Sequence, residues 1–357
     1  MRQLLGFRFI SKYRYFLFLI LAASVFGGCS SVQYLYQASK GQLELSNSSR
    51  PIDEVLKDEK TPTKLRTLLS EIPGVKKFSD ENGLKPTKNY TDYVQLHRSA
   101  ATYVVSACEP LKFKSKEWHF PIVGSFPYLG WFDLGEAKKY GEELKKEGLD
   151  VDVRGARAFS TLGWFRDAIL STMIPDGEEA LGELVDVVIH ESVHATLYIS
   201  GQAFFNESLA MFVAEGLTPV YLEKIRGKDS PERKAYVSLE TEYAEREKVL
   251  HQAYNSLDQL YSSAKPDAEK LEAKKSILDQ LKVDLKSGRD YNNATLIQFR
   301  TYGVGRAEFG ELLKVCGSDW RRFMRTLSRI KWESFSKPQQ EDLAPVILPL
   351  AREGCRS

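Results

Sequence analysis

The chain has 357 residues, 43% hydrophobic and 27% charged, with a formal net charge of +2. That length can bury a large core, as one domain with extensions or as two, and the composition is that of an ordinary globular protein. The near-zero charge argues against nucleic acid or an acidic polymer as partner, and no internal repeat or low-complexity block is visible.

Residues 1–28 read as a targeting segment to be set aside from the fold. Arg2, Arg8, Lys12 and Arg14 make a basic start. Residues 15–26 follow as an uncharged apolar run, too short for an ordinary spanning helix. Phe26-Gly27-Gly28-Cys29 has the form of a bacterial lipobox, although Phe26 stands where Leu is usual. The expectation is a signal peptide, a lipid on Cys29 as the new N-terminus, and a body facing the periplasm. Ser30, not Asp, would let the protein pass to an outer membrane where one exists. An uncleaved anchor over 15–26 is the alternative. With Cys29 lipidated, Cys108, Cys316 and Cys355 remain; one disulfide is expected in an oxidising compartment, its pairing open. The absence of C-x-x-C speaks against a cysteine-built zinc site.

Residues 30–69 are polar and helix-compatible, with Tyr34, Tyr36, Leu43 and Leu45 as contacts; 29–62 are expected to serve as an anchored tether, extended over 30–45. Residues 63–110 read mainly as helices, broken near Pro73-Gly74 and over 83–86. The aromatic, Pro- and Gly-rich stretch 118–132 predicts short strands and turns. A helix is expected over 134–147, stopped by Gly148. Short strands are expected over 151–153 and 158–164, joined by a turn at Gly155, with Trp164 and Phe165 as core.

His190-Glu191-Ser192-Val193-His194 then reads H-E-x-x-H, in a chain with only five histidines. Two His four apart share one face of a helix, so both imidazoles can reach one metal ion. The adjacent Glu191 can point at a metal-bound water and take its proton. Residues 181–199 are apolar and helical in pattern, with Gly201 as the stop. A second helix over 204–215, capped by Asn206, would carry Glu207 in its first turn, facing the metal as third ligand. Two His, one Glu and an open water position form the catalytic zinc arrangement of metallopeptidases. Asp186, four residues before His190, could orient that imidazole, with Glu183 and Glu215 as further carboxylates nearby.

Residues 219–288 are charged and helical in composition. Leu250, Tyr254, Leu257 and Tyr261 make one apolar stripe, 262–267 breaks it, and Leu271, Ile277, Leu278, Leu281 and Leu285 resume it, predicting a helical hairpin. Its charges are a solvated face or a docking arm beside the site, and His251 within it reads as a surface residue. Residues 314–347 are expected to pack as C-terminal helices, with Trp320 and Trp332 as core anchors.

Residues 158–165, 118–124 and 292–296, with the motifs at 190–194 and 205–210, resemble the bacterial family of predicted or putative aminopeptidases. The resemblance runs from about Cys29 to beyond Tyr302. Asn206-Glu207 also resembles the N-E segment of gluzincin zinc peptidases, with a shorter spacer after His194. The resemblance implies a predominantly helical α+β fold, with a zinc-binding helix pair, a small sheet and the charged hairpin. It implies one Zn2+ on His190, His194 and Glu207, Glu191 as general base, and a peptide as substrate. Such enzymes hold the extended substrate on a strand edge, for which residues 157–162 are the candidate, a plain core strand being the alternative. They also need an oxyanion donor from outside the zinc helices; Tyr302 is the first candidate and His119 the second. The competing readings are a metal-binding envelope lipoprotein without peptidase activity and a structural lipoprotein without metal.

Overall fold

The computed structural model describes residues 29–85, 88–120, 124–159, 166–301 and 304–355. The N-terminal half mixes helices α1 (Cys29–Asn47), α2 (Ile52–Lys57), α3 (Thr63–Ser70), α4 (Ile72–Glu81) and α5 (Leu134–Lys146) with short strands. These are β1 (Arg50–Pro51), β2 (Asp92–Val94), β3 (Thr102–Cys108), β4 (Trp118–Phe120), β5 (Gly124–Phe126), β6 (Leu129–Trp131), β7 (Asp150–Ala156) and β8 (Ile169–Leu170). The rest is helical: α6 (Ala180–Thr196), α7 (Ala203–Arg226), α8 (Pro231–Ser262), α9 (Asp267–Asp284), α10 (Asn293–Thr301), α11 (Arg306–Val315), α12 (Trp320–Leu327) and α13 (Ala344–Glu353). The fold is α+β and predominantly helical, as the sequence predicts.

An antiparallel sheet is ordered β6-β3-β7, a mixed one β1-β2-β8, and β4-β5 form a hairpin. The largest core surrounds the α6–α7 pair. Leu184, Val185, Val188, Ile189 and Val193 of α6 meet Phe205, Leu209, Val213 and Leu217 of α7, all fully buried. Full burial of each such side chain stabilises by about 1.5–3 kcal/mol, so this pair is the rigid centre of the molecule. The hairpin is formed by α8 and α9 and has a separate core of Leu250, Leu257 and Leu281. Phe113 stacks on Tyr254 of its apolar stripe, with ring centroids 4.1 Å apart.

Several expectations are corrected. The segment expected to extend over 30–45 is helix α1, and it docks. The Gln37 side chain donates to Gly130 O and accepts from Phe132 N, at 3.0 Å each, so it occupies the backbone groups at the β6 edge. Tyr34 packs on Trp131 and Leu45 is buried, whereas Tyr36 and Leu43 are exposed. Residues 102–108, read as helix, form the central strand β3. It is buried on both faces and so lacks the alternation that marks a half-exposed strand. Pro73 and Gly74 lie in the first turn of α4, where proline needs no hydrogen-bonded N–H. Gly155 is not a turn but an interior residue of β7, opposite Tyr103. A Cβ there would lie 2.9 Å from that of Ala100, so the glycine permits a close approach. Trp332 is 48% exposed on a short 3-10 turn; its neighbours Ile330 and Phe335 are the buried anchors, while Trp320 does pack on Phe212 and Phe323.

Cys316 and Cys355 form a disulfide that joins the end of α11 to the chain beyond α13. Cys108 is free and buried, and burial pushes its thiol up to about 12, which makes it inert.

Candidate metal centre

Helix α6 is apolar on most of its circumference. Over residues 181–194 its partly exposed positions, 183, 186, 187, 190, 191 and 194, line one side. This stripe places His190 and His194 together and Glu191 beside them. The helix ends at Thr196, earlier than expected, because Leu197 turns extended. Thr196 Oγ1 donates to Ser192 O at 2.6 Å and accepts Lys85 N at 2.8 Å, which ties this end to the N-terminal half. Gly201 lies in the connecting turn, with φ +77°.

Helix α7 starts at Ala203, so Asn206 is not its cap. The buried Asn206 instead bridges the connection: its Oδ1 accepts Ile199 N at 2.9 Å and its Nδ2 donates to Ile199 O at 2.8 Å. The start of α7 is satisfied from far along the chain. Gln339 Oε1 accepts Ala203 N at 2.8 Å, and Gln202 Nε2 donates to Lys337 O at 2.8 Å. Glu207 therefore sits in the second turn of a helix whose N-terminus is held on two sides.

The side chains of His190, His194 and Glu207 converge. The two Nε2 atoms are 3.2 Å apart, and they lie 3.6 and 3.7 Å from the two Glu207 carboxylate oxygens. Tetrahedral ligands about 2.0–2.1 Å from zinc stand about 3.4 Å from one another, so the spacing fits. Among the described residues this is the one group of three or more ligating side chains close enough for a single ion.

The electrostatics of the three side chains also suit a cation. Burial disfavours the charged form of His190, but the Glu207 hydrogen bond and the charges of Glu191, Glu207 and Asp186 outweigh it and lift its pKa to about 9. Burial and then the charge of His190 lower His194 to about 4. Burial raises Glu207, but its bond to His190 and the two imidazoles bring it below the ordinary carboxylate range.

Two phenols that the sequence did not single out lie close by. The Tyr198 ring meets His194 edge-on at 6.0 Å, is exposed, and has its pKa raised by burial and by Glu207. Tyr90 is buried with φ 59°, and burial and the Glu191 and Asp167 charges raise its pKa well above the ordinary value. Tyr198 is four residues past His194 and was within reach of spacing arguments. Tyr90 is about a hundred residues upstream and gave no local signal.

The other expected residues divide. Asp186 is close enough to His190 for its charge to act on the imidazole. Glu183 pairs instead with Arg157 at 2.5 Å, and Glu215 with Arg306 at 2.6 Å. His119 bonds to Ser125 Oγ within the β4–β5 hairpin, and His251 is exposed against Tyr254. Residues 157–159 are not in a strand, and 160–165 and Tyr302 lie outside the described residues. Of Cys29 only the backbone, at the start of α1, is described.

The family described as "Putative aminopeptidase" matches residues 33–342. No curated protein and no solved structure matches the chain.

Proposed function

The chain belongs to the putative aminopeptidase family, and from that premise we propose that it is a zinc-dependent peptidase of gluzincin type, working on the outer side of a bacterial inner membrane. The observation that carries this reading is the convergence of His190, His194 and Glu207 at ligand spacing on two rigid, buried helices. One zinc ion bound there would supply Lewis acidity, lowering the pKa of a coordinated water from about 15.7 toward about 7.

The chain's own residues would do the rest. Glu191 accepts the proton of the attacking water and later delivers it to the leaving amine, the two halves of general acid–base catalysis. Its charge acts on His190 and on Tyr90, which supports this role for the carboxylate. Among the described residues the Tyr198 phenol is the candidate donor for the developing oxyanion, beside Tyr302. The Asn206–Ile199 bridge and the Gln339 cap hold α7 against α6, so the ligands are preorganised.

A lipid on Cys29 would sit at the first residue of α1, which packs against β6, so the anchor would keep the body next to the bilayer. No helix among the described residues is long and apolar enough to cross a membrane.

The test is zinc content together with hydrolysis of a mixed peptide library by purified protein. About one zinc per chain and hydrolysis that vanishes on chelation are expected. A chain that binds zinc yet cleaves no peptide would instead be the metal-binding lipoprotein.

A further inference from the structure

The helix that carries Glu207 begins against a segment from far along the chain. Gln202, the residue before α7, is 0% exposed and bonds at both ends of its amide: Nε2 donates to Lys337 O at 2.8 Å, and Oε1 accepts Gln340 N at 3.0 Å. On either side of it, Gln339 N donates to Gly201 O at 2.9 Å and Gln339 Oε1 accepts Ala203 N at 2.8 Å. Phe335 meets Phe205 edge-on, with ring centroids 5.5 Å apart. Residues 335–340 therefore grip residues 201–205 by backbone, amide and ring, and Glu207 follows directly on the same helix.

The gripping segment has little shape of its own. Residues 335–343 form no helix or strand. Gln339 has φ 49°, a left-handed conformation that a non-glycine residue keeps only where its surroundings impose it. Internal order comes from the buried Gln340, whose Oε1 accepts Ser336 N and Oγ, each at 2.8 Å, and whose Nε2 donates to Asp342 O at 2.7 Å. An irregular segment held by a few side-chain amides opens more readily than a packed helix.

What encloses it is covalent. The Cys316–Cys355 bond joins residues 39 apart in sequence, and residues 335–340 lie inside the loop that it closes. Cys316 stands at the end of α11, and α11 is itself fixed to α7: Phe309 packs on Phe205 and Phe212, with centroids 6.0 and 5.6 Å away. Arg322 spans the bond, donating to Cys316 O and Cys355 O at 3.3 Å each. With the bond, both ends of the loop are tied to a helix that packs on α7. Without it, residues 317–355 are joined to α11 at Cys316 alone. Every opening of the segment then gains chain entropy that the closed loop denies it.

We propose that the Cys316–Cys355 disulfide is a brace of the metal centre: by closing the loop on Gln202 it positions Glu207, and zinc is held tightly only in the oxidised chain. The inference rests on Glu207 as third ligand in the reading above. Gln202 and Gln339 act on the metal through the start of α7 and are positioning residues. A dithiol reductant breaks the S–S bond, leaves one hydrogen on each sulfur and itself closes to a disulfide; the reverse exchange with a disulfide donor closes the loop again. The metal site is thus weak while dithiols keep the chain reduced and complete in an oxidising compartment, which keeps peptidase action out of the cytoplasm where the chain is made.

The test compares full-length wild type with the double variant Cys316→Ser, Cys355→Ser, which removes the bond and leaves no thiols there to bind zinc. Zinc affinity is read by competition with a chelator, well below the melting temperature of both. The serine pair should bind zinc about 10- to 100-fold more weakly, the size of an ordinary coupling between two sites. Gln202→Ala with the disulfide intact should weaken zinc by a similar factor. Added to the serine pair it should weaken zinc little further, since both act by one route. In metal-free wild type, a dithiol should speed amide exchange over residues 199–207 and 335–343 and leave the α8–α9 hairpin unchanged. A serine pair that melts lower yet binds zinc as tightly as wild type overturns the inference and leaves the metal reading standing, because the bond then serves the fold alone. Exchange that quickens throughout the chain overturns it too, as does a Gln202→Ala effect that simply adds to that of the serine pair. Oxidised wild type that binds no zinc overturns the metal reading and this inference with it.

Discussion

Asn206 grips Ile199 at both backbone groups, accepting from its N–H at 2.9 Å and donating to its carbonyl at 2.8 Å. Ile199 lies in the connection between the helix that carries the histidines and the helix that carries Glu207, and Asn206 lies in the first turn of the latter. The asparagine of the N-E pair is thus a clamp, and the glutamate next to it inherits a fixed place. Asn206→Ala would leave the buried Ile199 N–H unsatisfied, at a cost of about 1–3 kcal/mol, and would leave its carbonyl with the Gln202 N–H alone. The variant should melt several degrees lower and bind zinc more weakly, while Asn206→Asp, which keeps the acceptor, should fall between. Thermal unfolding and zinc titration read both effects. Unchanged zinc affinity in Asn206→Ala would show that Glu207 needs no such clamp.

How much of this could be read from the chain depends on how far each contact reaches. The α6–α7 pair was legible because its apolar load, the H-E-x-x-H spacing and the break between helices are local. The aromatic strands and the hairpin stripe were legible for the same reason. What the sequence hid is non-local. Gln339 caps Ala203 across 136 residues, and Tyr90 reaches the neighbourhood of Glu191 from the N-terminal half. Strand β3 was misread because burial on both faces removes its period of two. The helix-compatible pattern of α1 was legible, but its docking was not, since Gln37 reaches the β6 edge across more than ninety residues. Glu183 and Glu215 looked like carboxylates free to support the metal, and only the fold shows that arginines hold them.

Glu191 is proposed to touch the attacking water and not the metal, which separates chemistry from binding. Glu191→Gln keeps the size of the side chain but cannot take the proton. It should retain about one zinc per chain and the wild-type melting temperature, while kcat falls by about 10²–10⁴-fold, the usual contribution of general acid–base help. His194→Ala should lose activity together with its zinc. Metal analysis and peptide kinetics on matched samples distinguish the two. Wild-type turnover in zinc-loaded Glu191→Gln would remove Glu191 from the mechanism.

Stability should depend on pH through Glu240. Its pKa rises from 4.5 to about 8, first by burial and then by Asp186, Glu215 and Glu183, against the opposing charge of Arg306. A group whose folded pKa lies above its unfolded value binds its proton more tightly when folded. Its contribution to stability is present below about 4.5 and is lost as pH rises through about 8. Glu240→Gln cannot lose it. The melting temperature of the variant relative to wild type should therefore climb across that window and level off above it. A difference that stays constant with pH would show that Glu240 is not held in this state.

Lipidation would join a lipid to Cys29, the first residue of a docked helix, and this has a consequence for the range of the enzyme. Gln37 and Tyr34 bind α1 to the β6 edge, so a lipidated chain would have little slack between bilayer and body. A single acyl chain binds membranes only marginally, so stable anchoring takes more than one. Cys29→Ser should give an unprocessed chain that takes up no labelled palmitate, whereas wild type is labelled and fractionates with membranes. Equal labelling of the two would sink the lipobox reading and leave residues 15–26 as an uncleaved anchor. In the lipidated protein, Gln37→Ala should free the helix from the β6 edge without releasing the chain from membranes, making residues 29–47 newly sensitive to protease. Protection equal to wild type would mean that Gln37 does not hold the anchor helix to the body.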